Sequence, residues 1–367
     1  MLGRIYTYLK NFDWILFFAI LLLVCFGLAE IYSVALGRGG TDLLNFKKQI
    51  IFVIIGLIIF FGLAFFDYYN LRGLSPYIYV AGVLMLIAVL VLGKTVRGTG
   101  RWFYVLGLGI QPVEFIKVAL ILFLAKYFSG ASLRLNPLKH LLLSGLGASV
   151  LFILVLLQPD FGSAMLLFAL WLFILLAAGF KKRYFAILFL ILAVLGAGAW
   201  MFYFKPYQKE RILTFINPSS DPLKQGYNVT QAMIAVGAGR TFGQGIGFGS
   251  QSQLKFLPES QTDFIFAVIS EELGFLGVAL VIFFFSVIFY RSLASLKRIN
   301  NDFGIFFVLG SVGLIFIEMF INIGMNMGIV PVVGFPLPFL SYGGSGIISN
   351  LAMFGVIESI IIRSKIR

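Results

Sequence analysis

An aspartate stands where a polar loop gives way to a very apolar helix: Phe256-Leu257-Pro258-Glu259-Ser260-Gln261-Thr262-Asp263-Phe264-Ile265-Phe266. Beyond Asp263 the chain is uncharged until Glu271-Glu272. An acid at that depth loses solvation, which costs free energy and disfavours its charged form. A carboxylate partly withdrawn from water can be tuned towards the working pH, where a general base is most effective.

Four other constellations carry chemistry. In Arg101-Trp102 … Gln111-Pro112-Val113-Glu114-Phe115-Ile116-Lys117, Pro112 fits the first turn of a helix. Glu114 and Lys117, three apart, share a face and can pair inside a membrane. That pair either fixes packing or lines a polar cavity where Lys117 meets an anionic head group. Gln158-Pro159-Asp160-Phe161-Gly162-Ser163 sets a further acid at a membrane edge, where Asp160 is a binding group or a helix N-cap. Six glycines between Gly237 and Gly249, flanked by Arg240 and Lys255, form either a phosphate-approaching backbone or a flexible loop. Finally, Pro331 to Ser345 is apolar but too rich in Pro and Gly for a regular helix. Irregular backbone at membrane depth must be buried or line a watery cavity, so this segment is expected to wall an outward-opening site.

These residues need a membrane to position them. The 367-residue chain is 60% apolar and 12% charged, with a mean hydropathy of +1.01. That composition belongs to an all-α, multi-span membrane protein. Ten spans are expected, near 14–36, 49–66, 76–93, 111–128, 139–157, 161–180, 184–204, 264–290, 304–327 and 345–362. The first follows Arg4 and Lys10 and is long enough to act as a signal anchor. With both termini in the cytoplasm, Lys and Arg fall mainly on cytoplasmic segments, Lys181-Lys182-Arg183 and Lys297-Arg298 among them. The whole chain, 1–367, reads as one integral membrane domain with a large external loop, about 205–262. Within it, 207–216 is expected to be a short amphipathic helix and 225–237 a second one, interfacial or re-entrant.

One Cys (Cys25) and one His (His140) exclude disulfides, thiol catalysis and a multi-histidine metal site. The net charge of +13 is membrane-flanking, with some left for an anionic ligand; no nucleic-acid partner is expected. Glu30, Glu318 and Glu358 read as hydrogen-bonded packing or interface residues.

Taken together, the chain resembles the SEDS family (shape, elongation, division and sporulation) of polytopic membrane proteins. Five blocks carry the resemblance in order: Arg101-Trp102 with Gln111-Pro112-x-Glu114-x-x-Lys117; Gln158 to Gly162; Tyr227 to Gly249; Leu257-Pro258-Glu259-x-x-x-Asp263-Phe264-Ile265-Phe266 with Glu271-Glu272-Leu273-Gly274; and Asn322-x-Gly324-Met325 through Pro338 to Ser345. The short tails and length resemble the elongation member more than the division member. The resemblance implies a peptidoglycan glycosyltransferase in the bacterial cytoplasmic membrane. It would polymerise lipid II outside the membrane and release undecaprenyl diphosphate. Asp263 takes the place of the family's essential aspartate, expected to be the general base. Arg101, Lys117, Arg240 and Lys255 are candidates for the diphosphate, Glu114 for holding Lys117, and Asp160 for binding substrate. A divalent cation, Mg²⁺ or Mn²⁺, is expected, with Asp263 or Asp160 open as a ligand. Implied partners are a class B penicillin-binding protein (a single-span transpeptidase), the elongation machinery and the bilayer. Two rivals share many of these residues: a lipid II flippase, and a scaffold that only activates its partner.

Overall fold

The structure, a computed structural model, describes residues 2–37, 43–96, 99–105, 108–131, 136–202, 209 and 225–366. In chain order it forms α1 (Leu2–Asn11), α2 (Trp14–Gly37), α3 (Leu43–Phe65), α4 (Tyr68–Leu92), β1 (Lys94–Val96), β2 (Thr99–Val105) and β3 (Leu108–Ile110). There follow α5 (Pro112–Ser129), α6 (Pro137–Leu157), α7 (Phe161–Ala177), α8 (Lys182–Phe202), α9 (Gln225–Ala238) and α10 (Ser250–Gln253). The chain closes with α11 (Ile265–Ser295), α12 (Asp302–Asn326) and α13 (Gly344–Ile366).

The architecture is helical, as expected. Each segment read as a span coincides with a helix, α2 to α8 and α11 to α13. Seven described helices are long and apolar enough to cross a membrane: α2, α3, α4, α6, α11, α12 and α13. Of the others, α7 has 17 residues and α5 carries Glu114, Lys117 and Lys126. Two elements were not foreseen. One is the amphipathic α1. The other is a small antiparallel meander in which β2 pairs with both β1 and β3 just before α5. The helix expected over 207–216 lies outside the described residues, Lys209 excepted; the one expected over 225–237 is α9.

Local capping sets several boundaries. Asp67 accepts from Tyr69 N at 3.0 Å and starts α4, Asn301 accepts from Phe303 N at 3.0 Å and starts α12, and Pro112 opens α5. Long-range polar contacts tie the two ends of the bundle. At one end, Arg291 Nη2 donates to Asp13 Oδ2 at 2.7 Å, Asp13 N donates to Glu358 Oε1 at 2.5 Å, and Arg363 pairs with Asp67 at 3.3 Å. At the other end, Gln261 Nε2 donates to Ile31 O, and Gly343 N donates to Gln49 Oε1.

The long helix α11 is broken. Gly274 has φ 64° and ψ −158°, outside helical space. A break at this depth strands backbone groups that lipid cannot satisfy. The loop after α9 supplies the partners. Gln244 N and Gly245 N each donate at 2.9 Å, to Glu271 O and Glu272 O, while Phe275 N donates to Arg240 O at 2.8 Å and Leu276 N to Thr241 O at 3.2 Å. Such backbone-to-backbone approach leaves no room for Cβ atoms. A side chain at Gly239 or Gly243 would strike the backbone of Ser270 or Glu272. Buried carboxylates reinforce the join: Glu271 accepts from Gln251 N (2.7 Å) and Ser252 N (3.1 Å), and Glu272 from Ser33 Oγ (2.6 Å) and Gly247 N (3.0 Å). Within the glycine run, Gly239, Gly243 and Gly249 therefore form a packed joint between loop and broken helix, while Gly237 and Gly247 have open space around them.

Gly274→Ala should lower the melting temperature and speed hydrogen exchange across 239–253, because it combines a positive φ with backbone collisions. Gly73→Ala, mid-helix on α4 with open space around it, should be neutral or stabilising by up to about 1 kcal/mol.

Candidate active site

Asp263 sits just before α11, with its side chain half-buried. The backbone around it is held by the irregular segment between α12 and α13. Tyr342 N donates to Gln261 O at 2.8 Å, and Ser341 Oγ donates to Thr262 O at 2.6 Å while accepting from Leu337 N at 2.7 Å. Gln49 Nε2 donates to Ser341 O at 3.3 Å, which brings α3 into the same assembly. The carboxylate itself lies against Gly334, whose φ is 80°; a Cβ there would sit 3.2 Å from Asp263 Oδ2. The Pro331–Ser345 segment is thus one wall of the site, in the place that its composition suggested.

The same wall meets the start of α7. A Cβ on Gly162 would lie 2.7 Å from Val333 and 3.6 Å from the Phe335 ring. Asp160, 5% exposed, caps α7 by accepting from Ser163 N at 3.2 Å and Ser163 Oγ at 2.7 Å. Gly162 at the start of α7 and Asp263 therefore flank one short stretch, residues 333–335, from two elements distant in sequence.

Lys117 has two carboxylate partners. Its Nζ lies 2.6 Å from Glu114 Oε2 and 2.5 Å from Glu318 Oε1, with Lys117 2% exposed, Glu114 7% and Glu318 2%. The i,i+3 pair was readable in sequence. Its third member, on α12, was missed, although Glu318, Asn322 and Asn326 stand four residues apart in the otherwise apolar second half of that helix. A lysine so enclosed is a structural clamp joining α5 to α12.

Arg240 and Lys255 are exposed, both on backbone of positive φ (47° and 64°). Arg240 borders an open cleft of about 800 Å³ bounded by Ile234 and residues 237–244. Arg101 lies on β2, and its side chain is outside the described residues. His140 Nδ1 is hydrogen-bonded to the Tyr127 hydroxyl at 2.9 Å. Among the described residues, no three His, Cys, Asp or Glu are grouped to hold a metal ion.

Chemically, the arrangement offers one half-buried carboxylate on fixed backbone, an apolar wall opposite it, and exposed cations on the adjoining loop. It suits base catalysis on a substrate that carries its own anionic group.

Two substitutions separate structural from chemical roles here. Lys117→Ala strands two buried carboxylates and should cost about 3–5 kcal/mol, read as early melting in detergent. An unchanged melting curve with lost activity would instead make Lys117 a substrate ligand. Gly334→Ala should cost about 1–2 kcal/mol through its positive φ. It should also lower turnover by about tenfold or more by crowding Asp263, measured as product formed per protein at saturating substrate.

Comparison with known proteins bears on the family and the fold. The family model described as "Cell cycle protein" (FtsW, RodA, SpoVE) matches residues 13–366. The chain is 36% identical over 327 residues to peptidoglycan glycosyltransferase MrdB of Escherichia coli, covering 88% of this chain and 86% of that one. It is 35% identical to stage V sporulation protein E of Bacillus subtilis, covering 95% and 96%. Among solved structures, it superposes with a TM-score of 0.83 and 29% identity on a chain from work on the structural coordination of polymerization and crosslinking by a peptidoglycan synthase complex, covering 96% and 98%. Against the rod shape determining protein RodA of Thermus thermophilus, the TM-score is 0.71 at 26% identity, covering 95% and 96%. It is a multi-pass membrane protein, and it belongs to the FtsW/RodA/SpoVE family of cell cycle proteins.

Proposed function

We propose that this protein is a peptidoglycan glycosyltransferase that polymerises lipid II at the outer face of the bacterial cytoplasmic membrane, with Asp263 as general base. The observation that carries the reading is the Asp263 carboxylate. It is half-buried, on backbone anchored by α12 and by the segment that follows it, and faces a wall that cannot be a regular helix. The acceptor sugar hydroxyl loses its proton to Asp263 as its oxygen bonds to the donor's anomeric carbon, and the bond from that carbon to the diphosphate breaks. Negative charge then grows on the leaving diphosphate, where cations stabilise it. Arg240 and Lys255 are exposed, Arg240 against the break in α11 at Phe275 and Lys255 eight residues before Asp263, and Arg101 precedes α5. Lys117, with Glu114, contributes by holding α5 on α12, and Asp160 by starting α7 against the shared wall.

The described residues build no metal cage. A divalent cation therefore fits best when it arrives on the substrate's diphosphate, with at most one protein carboxylate, as Mg²⁺ commonly binds. The exposed apolar side chains, in a chain with 42 Phe, offer apolar surface to the lipid tails. Positive-inside charge supports cytoplasmic termini and an outward-facing Asp263. Similarity to MrdB and to RodA supports a role in elongation. The synthase-complex relative supports a class B penicillin-binding protein as partner. Against a flippase stands the Glu114–Lys117–Glu318 cluster: deep in the bundle, these charges are mutually paired and closed off, where a transport path needs them accessible.

The test is glycan polymerisation from labelled lipid II, with and without the transpeptidase partner and Mg²⁺. Asp263→Ala should reduce the product ladder by about 10²-fold or more while lipid II still binds. A ladder that survives Asp263→Ala supports the scaffold; binding with no ladder from the intact protein supports the flippase.

A further inference from the structure

The end of α12 places two amides on the peptide that carries Asp263. Asn322 Nδ2 lies 3.0 Å from Asp263 O, and Asn326 Nδ2 lies 3.1 Å from the same oxygen. Both asparagines are fully buried, at 0% exposure. Carbonyl oxygens only accept, so the NH₂ groups must face them, and the two donors can engage both lone pairs of one carbonyl. Asn326 then turns its other end to α11, where Oδ1 accepts from Ala267 N at 3.2 Å. Asp263 O and Ala267 N are the two halves of the bond that would extend α11 by one residue-step towards its N-terminus. Asn326 takes both halves, and Ala267 N is left with the tighter Phe264 O at 3.1 Å. Its side chain is thus spliced into the helix ladder at the point where the helix stops.

Asn322 does a different job with the same amide. Its Nδ2 also donates to Phe335 O at 2.6 Å, and Phe335 follows Gly334, the residue against the Asp263 carboxylate. One NH₂ group therefore spans the Asp263 peptide and the wall it faces. Asn326 Nδ2 further donates to Asn322 O at 2.8 Å, so the two amides are held relative to each other. One turn deeper on the same face, Glu318 is fixed by Lys117.

We propose that Asn322 and Asn326 are positioning residues for the reaction: Asn326 ends α11 so that Asp263 stays outside the helix, and Asn322 sets the gap between Asp263 and the Gly334–Phe335 wall. This rests on the reading of Asp263 as the base. Neither asparagine touches substrate, so both act on turnover through the direction of the Asp263 side chain.

The test uses full-length protein with its transpeptidase partner and labelled lipid II, comparing Asn322→Leu, Asn326→Leu, Asn326→Asp and Asp263→Ala. Leu keeps the volume and removes the polar atoms. Asp at 326 keeps the acceptor for Ala267 N and loses the donor to Asp263 O. Each Leu variant should lower kcat by about 100-fold, the scale of a misplaced catalytic group. KM for lipid II should stay within about threefold, and Asn326→Asp, whose second carboxylate oxygen would face the Asp263 and Asn322 carbonyls, should melt no higher than Asn326→Leu. Wild-type kcat in both Leu variants, with Asp263→Ala inactive, overturns the positioning role and leaves Asp263 as base. Equal losses in kcat and lipid II affinity, tracking the loss of folded protein, overturn it in favour of a purely structural role. Retained activity in Asp263→Ala overturns the base assignment, and this inference with it.

Discussion

A backbone N–H or C=O inside a bilayer finds no water, so each must find protein. Much of this structure answers that constraint. Breaking α11 at Gly274 strands carbonyls on one side of the break and amides on the other, and the loop at 240–245 meets both sets. The segment between α12 and α13 cannot bond to itself as a helix. Its carbonyls and amides are taken up by Asn322, Ser341, Gln49 and Gln261 instead. Irregular backbone survives here only as pieces that complete one another. The half-buried carboxylate of Asp263 lies where those pieces meet.

Buried charge follows the same logic. Lys117 is matched by two carboxylates, Asp13 by Arg291, and Glu271 and Glu272 by loop amides and hydroxyls. Each of these acids and bases is occupied in holding two or more elements together. A buried ion without such partners would cost several kcal/mol, which is why so few of the chain's charges lie within the bundle. At Asp263 the same network pins the backbone, and the carboxylate lies against Gly334, where an added Cβ would stand 3.2 Å from Oδ2.

Much of this was legible in the residues. Apolar runs located the helices, because lipid demands about twenty apolar residues per crossing whatever the fold. Pro112 and Asp160 marked helix starts, because a cap acts on its own neighbours. The abrupt change of polarity at Asp263 marked a boundary acid, and the prolines after 331 marked backbone that could not be helical. Less legible were the meander at 94–110, too short for a reliable two-residue period, and the break at Gly274, hidden in a stretch whose composition suits a continuous helix.

What the sequence alone determined was local: which stretches cross the membrane, where helices start, and which polar residues are too costly to be idle. What only the tertiary structure decided was pairing. Lys117 and Glu318 are 201 positions apart, Asn322 and Asp263 are 59 apart, and Ser33 and Glu272 are 239 apart. Period and composition describe how a residue relates to its own helix. In a bilayer the choice among distant partners is set by which helices pack side by side and by the need to leave no polar group alone, and neither leaves a trace in local pattern.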